Sequence, residues 1–269
     1  VVRSTKTTVG NNFSVRCSGP LAPTLLETYP EIEAAYRLIR RPVHIGTETT
    51  GDTAQFCLAE ANVFEFLNLD ESLKDLLAEP GRILLSESFA RKLFGVANPV
   101  GQMVQMAHQF QGDYMVGGVF PDLPTNTTFQ IEALAISPSV GGGHWVWNAW
   151  AERGWMQVEA YIRVRLDADV VQLESRIQSL LSQYVPKVAD NNAYHLQPFD
   201  HVYLHSLGDF GVAGLPASPL IRYGDAERLK TSALVAFILI LVASANYVNL
   251  TTARASLRYR EVGVRKTVG

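Results

Sequence analysis

Apolar and polar positions change period several times along this chain, and each change marks an element. NNFSVRCSG, residues 11–19, alternates with a period of two as a half-buried strand does, and PLAPTLLETYPEIEAA predicts a short helix broken by Pro30. EAAYRLIRRPVHIG reads as a second strand, so strand, helix and strand follow one another as one α/β unit. TAQFCLAEANVFEFLNL predicts a strand leading into an apolar turn, and ESLKDLLAEPG a short helix closed by Pro80 and Gly81. RILLSESFARKLFG is a buried strand running into a helix, with Ser86 or Ser88 as N-cap and Gly95 as the stop. GQMVQMAHQF, GDYMVGGVF and FQIEALAIS are three further strand-like runs separated by Gly, Pro and Asn.

From Val158 the mixed pattern returns. VEAYIRVRL alternates, DADVVQLESRIQSLLSQYV spaces Val170, Leu173, Ile177, Leu180 and Leu181 along one helical face, and AYHLQPF is strand-like again. The expected fold class is α+β with two lobes: residues 1–79 and 153–228 form a mixed α/β subdomain, and residues 80–152 form a β-rich inserted lobe. The segment from His201 to Lys230, rich in Gly and Pro, reads as a connector.

Between Lys230 and Arg254 all periodicity vanishes. The 23 intervening residues, TSALVAFILILVASANYVNLTTA, carry no charge, and as a helix they extend roughly 34 Å, enough for a hydrocarbon core of about 30 Å. The competing reading is a buried helix of a large soluble core, but Ala233 to Ala245 contains only Ser244 as a polar residue and shows no polar face. A transmembrane helix at 230–253 is therefore expected, with Asn246 and Asn249 turned toward neighbouring helices. After it come Arg254, Arg258, Arg260, Arg265 and Lys266 against the single acid Glu261. Basic flanks stay inside, so residues 254–269 are expected in the cytoplasm and residues 1–229 outside, periplasmic or extracellular.

Charge divides the same way. Residues 1–253 hold 18 Lys and Arg against 25 Asp and Glu, a net of −7, whereas the last 16 residues are net +4. An acidic external portion argues against nucleic acid as partner. With no initiator Met and no signal-like start, the chain reads as a piece of a longer protein, with an earlier span expected before Val1.

Candidate chemistry is sparse. GVANPVGQ, residues 95–102, has one residue too many between its glycines and Gln in place of the lysine of a phosphate-cradling loop, and no G-x-S-x-G turn or H-E-x-x-H helix occurs. No catalytic residue, cofactor site or metal site is expected on this chain. His201 and His205 in DHVYLH stand four apart, but Pro198 and the strand-like approach favour structural or surface roles over metal binding. Asp113, Asp122 and Asp209 fit turn chemistry. Cys17 and Cys57 lie in strand-like segments and read as packed apolar residues, with a disulfide as the alternative. Trp145, Trp147, Trp150 and Trp155 cluster after Gly141–Gly143, either as a face for a partner or substrate or as the lid of the lobe's own core.

ANYVNLTTARASLRYREVGVRKTVG closely resembles the segment of FtsX-like ABC transporter permeases that leaves a transmembrane helix and reads R-x-x-E-[IV]-G-[VI]-R-K, here Arg258, Glu261, Gly263, Arg265 and Lys266 after Asn246, Asn249 and Leu250. RILLSESFARKLFG, NPVGQMV, VGGVFPDLPTNTTFQIEALAIS and LQPFDHVYLHS resemble the MacB-like periplasmic core domain of such permeases. The resemblance implies a permease subunit of an ABC-type exporter that is not itself an enzyme. A separate cytoplasmic ATPase would meet the coupling segment at Arg258, Glu261, Gly263, Arg265 and Lys266, beside a second permease copy and a periplasmic adaptor or outer-membrane partner. Substrates of such families include antimicrobial peptides, macrolides and lipoproteins. An external sensor, including the FtsX-type activator of cell-wall hydrolases, is the alternative class; an external enzyme ranks third, since no nucleophile, base and oxyanion donors converge.

Overall fold

The computed structural model describes residues 2–6, 13–14, 16–107, 110–137, 158–184, 186, 192–206 and 223–269. The chain divides into two compact units, Val1–Gly224 and Asp225–Gly269.

In the first unit, β1 (Val2–Lys6), β2 (Phe13–Ser14) and β3 (Arg16–Cys17) precede α1 (Leu21–Thr28) and a long strand, β4 (Ile32–Gly46). β5 (Gly51–Ala59), the short helices α2 (Val63–Leu67) and α3 (Ser72–Asp75), β6 (Arg82–Ser86) and α4 (Glu87–Phe94) follow. Then come β7 (Met103–Met106), β8 (Gly112–Phe120), β9 (Ala133–Ile136), β10 (Val158–Val164), α5 (Val170–Tyr184), β11 (Asn192–Leu196) and α6 (His201–Leu204). The class is mixed α and β, as the pattern predicts.

Eight strands join in the order β3-β10-β4-β5-β9-β6-β8-β7, and β11-β1-β2 form a separate three-stranded sheet. The larger sheet closes on itself. The tip of β4 pairs with β7 through Ile45 with Met106 and Gly46 with Gln105, so β4, β5, β9, β6, β8 and β7 make a ring of six strands. Alternate residues point inward, as ring closure demands: Val43 and Ile45, Phe56 and Leu58, Ile83 and Leu85, Val104 and Met106, Tyr114 and Val116, Ala133 and Ala135 belong to one buried cluster. Phe89, Ala90 and Leu93 of α4 pack into the same cluster.

β4 serves more than this ring. Its first half pairs with β10, from Ile32 opposite Val164 to Leu38 opposite Glu159, and its second half with β5. Ala35 joins a second cluster with Cys17, Leu21, Leu25, Leu173, Ile177 and Leu181, while Ile39, Val43 and Ile45 line the ring. On the opposite face, Tyr36 and Leu38 join a third cluster with Phe64, Leu84, Phe129 and Tyr161. One strand therefore contributes to all three cores.

Local chemistry explains the boundaries. Gly46 opens the β4–β5 connection where an added Cβ would stand 2.9 Å from Thr50 O, and Thr47 N donates to Thr50 O at 2.6 Å. Ser86 Oγ accepts from Phe89 N at 3.3 Å, capping α4, and Gly95 ends it with φ +62°. The expected apolar turn after β5 is instead the helix α2, which buries Val63 and Phe64 and stops at Asn68 in the left-handed region, φ 52°. Five residues are too few to show a helical period. Along α5, Leu173, Ile177, Leu180 and Leu181 are buried as expected, but Val170 at its first position is exposed. Cys17 and Cys57 are free and buried, in different clusters, and burial pushes both thiols up to about 12.

The second unit is a single helix, α7 (Ala226–Val268), 43 residues and about 64 Å long. Asp225 caps it, its carboxylate accepting from Glu227 N and Arg228 N, each at 3.0 Å.

Candidate functional site

Among the described residues one helix, α7, is long and apolar enough to cross a membrane by length and composition. It runs without interruption through the segment expected to couple to an ATPase. Arg254, Arg258 and Arg265 fall at spacings of four and seven, which places them on one face at 100° per residue. Arg265 and Lys266 lie in the last turn, where positive charge complements the helix dipole. A Cβ added at Gly263 would meet nothing within 4 Å, and Glu261 lies within the helical backbone. Arg258, Glu261, Gly263, Arg265 and Lys266 thus lie on the same continuous helix as the apolar span.

In the first unit the main polar feature is buried, and sequence reasoning missed it. Arg40 on β4 and Glu159 on β10 are each 3% exposed and form a bidentate pair, Nη2 to Oε2 at 2.6 Å and Nε to both carboxylate oxygens at 3.1 Å. Arg40 Nη1 also donates to Thr128 O at 2.6 Å, Tyr161 Oη donates to Glu159 Oε2 at 3.1 Å, and the guanidinium lies 4.8 Å from the Phe129 ring centre. Burial works against the charge on Arg40, yet the Glu159 carboxylate raises its pKa overall; burial and that same carboxylate push the Tyr161 hydroxyl well above its ordinary range. The sequence does hold a signal: Glu159 shares a strand face with Tyr161, and Arg40 shares one with Tyr36 and Leu38.

Around this pair stands an aromatic group. Phe129 stacks on the half-exposed Phe199 with centroids 6.0 Å apart, and Phe66 approaches Tyr36 at 5.0 Å, Tyr161 at 4.8 Å and Phe199 at 5.6 Å. Phe199 lies just before α6, so the segment following β11 is held to Phe66, Phe129 and Tyr161 of β10 through ring contacts.

A cleft of about 330 Å³ opens beside Phe129, with Ser86, Ser88, Asp122 and Glu132 in its lining. Asp122 accepts from Ser88 N at 3.1 Å and Ser88 Oγ at 2.8 Å. Burial alone would raise its pKa, but these bonds and one from Ser86, with Arg91 nearby, hold it below the usual carboxylate value. Asp122 therefore ties the start of α4 to the end of β8, a longer-range role than a local turn. Asp113 sits near the start of β8. His201 and His205 lie on and just after α6, a helical turn within the segment that reads as a connector. Trp145, Trp147, Trp150, Trp155 and Asp209 lie outside the described residues. No group of three or more His, Cys, Asp or Glu gathers as a metal set among the described residues.

A sheet-rich domain with its polar pair buried, joined in sequence to a bilayer-length helix with a basic end, defines a membrane-anchored extramembrane domain. The sequence profile of the MacB-like periplasmic core domain matches residues 2–180, and the chain belongs to that family. Among solved structures, a domain of a protein described as a permease from Porphyromonas gingivalis is similar with TM-score 0.60 and 22% identity, over 78% of this chain and 94% of that one. The periplasmic region of MacB from Actinobacillus actinomycetemcomitans gives 0.49 and 13%, over 75% and 89%. The extracellular domain of the ABC-type transporter YknZ from Gram-positive bacteria gives 0.49 and 12%, over 73% and 99%. A comparison with curated proteins finds no match.

Proposed function

We propose that this chain belongs to the permease subunit of an ABC-type exporter, in which a separate cytoplasmic ATPase drives the membrane helices and the external domain carries the motion to a substrate or partner. The observation that supports this most is the order of parts: a MacB-like periplasmic core domain over residues 2–180, then a helix of bilayer length with Arg and Lys at its far end. In this reading residues 254–269 lie in the cytoplasm, and Arg258, Glu261, Gly263, Arg265 and Lys266 meet the ATPase. A helix continuous from the span into that contact transmits axial or tilting displacement without a hinge, which a basic tail joined by a flexible loop could not do. The external domain receives that displacement as a firmly packed body, with β4 crossing its cores. Peptides, macrolides and lipoproteins are candidate cargoes.

The test is reconstitution of the full permease with its cognate ATPase. The permease alone is expected to hydrolyse no ATP, and the R258A/R265A/K266A triple variant is expected to lower both ATPase assembly and stimulated turnover. Unchanged assembly and turnover in that variant would remove the coupling role. Orientation is tested separately with V171C and V268C: an impermeant thiol reagent applied to intact cells is expected to reach the first and not the second. The reverse pattern would overturn the topology.

A further inference from the structure

Pro198 and the strand-like approach to His201 and His205 favour structural or surface roles for them over a shared ion. The structure changes that premise. His201–Leu204 is a helical turn, and His205 N donates to His201 O at 2.9 Å, so the two residues occupy positions i and i+4 on one face. Their ring centroids stand 4.7 Å apart with planes inclined at 39°.

That separation suits a shared ion as well as a ring contact. A divalent ion bonded to an imidazole nitrogen at about 2.0–2.1 Å lies about 3.2 Å from the ring centre, so two imidazoles on one ion at 90–109° have centres about 4.5–5.2 Å apart. The observed 4.7 Å falls inside this window. His201 is exposed and His205 partly so, leaving an ion room to enter and to keep water ligands. Asp200, adjacent in sequence, adds negative charge to the neighbourhood.

We propose that His201 and His205 form a two-imidazole chelate for a late first-row divalent cation. Imidazole selects Cu2+, Ni2+ and Zn2+ over Mg2+ and Ca2+, which prefer oxygen. With two protein ligands the coordination sphere stays open, so the ion exchanges rather than holding the fold together as a closed four-ligand site does.

The experiment uses the full chain in nanodiscs, free of any polyhistidine tag and stripped with chelator. One equivalent of Cu2+ is expected to bind, with Ni2+ and Zn2+ weaker and Mg2+ unable to compete. Electron paramagnetic resonance of the Cu2+ complex is expected to show coupling to two imidazole nitrogens. H201Q and H205Q, at surface positions, are each expected to weaken Cu2+ binding at least about tenfold and leave one coupled nitrogen. No Cu2+ binding, Cu2+ binding unchanged in both variants, or displacement by Mg2+ would each overturn the proposal and reduce the pair to a ring contact. None of these outcomes bears on ATPase coupling, which residues 254–269 test independently.

Discussion

In the Val1–Gly224 unit, Leu38, Phe56, Leu58, Ile83 and Phe120 are at or near zero exposure, whereas along α7 Leu234, Phe237, Leu239 and Ile240 stand more than half exposed. Charges run the opposite way. In the first unit Arg40 is sealed against Glu159 and Arg37 pairs with the partly exposed Glu60, while α7 keeps its apolar middle free of charge and gathers cations at one end. The same side-chain types thus obey different solvents. A body surrounded by water hides hydrocarbon and must pair any charge it buries, whereas a rod immersed in lipid shows hydrocarbon outward and excludes charge from its centre.

The sharpest way to break this contrast is to leave one buried charge alone. E159Q strands the Arg40 guanidinium and is expected to cost the first unit about 3–5 kcal/mol, read as a lower urea midpoint, whereas the paired R40M/E159L replacement recovers most of the loss. If E159Q unfolds at the wild-type midpoint, the pair carries no structural weight. Next in size is I240K, which puts a charge near the middle of the apolar stretch and is expected to cost about 2.5–3.5 kcal/mol of insertion, seen as protein extractable from membranes at alkaline pH. V171K at an exposed position of the first unit should stay within about 0.5 kcal/mol of wild type. S86A removes the cap of α4 and is expected to cost about 1 kcal/mol, measured by thermal unfolding.

The smallest effect is acidic. The folded-state pKa of Asp122 is lowered, so its contribution is fully present above the unfolded value of about 3.9 and is lost as pH falls through the folded value. Its exposure and solvent screening keep the effect small. D122N should flatten the acid limb of stability below about pH 4, and an unchanged limb would show that the Ser88 bonds stabilise no charge.

Strands, helices and the apolar span were legible because each rests on local period and punctuation: Pro30, Ser86 and Gly95 act within a few residues of themselves. The ring was not, because it depends on Ile45 meeting Met106, a partner set by the fold and not by neighbours in sequence. Nothing local sets Arg40 apart from Arg41, and only the register of β4 against β10 brings it to Glu159. The basic segment after Arg254 was readable as composition, but its continuity with the span was not, since Gly263 and the crowded arginines carry no apolar stripe. For DHVYLH, Pro198 and the strand-like approach argued against a helical face, and a four-residue helix is too brief to announce itself by period.

One strand shared by several cores also governs how the molecule comes apart. Melting the ring would fray the tip of β4, and loss of the α1 and α5 packing would release its base, so damage at either extremity weakens the other. The first unit is therefore expected to lose its structure in a single sharp transition rather than in stages, and a sustained pull on one end would be felt at the other before either yields.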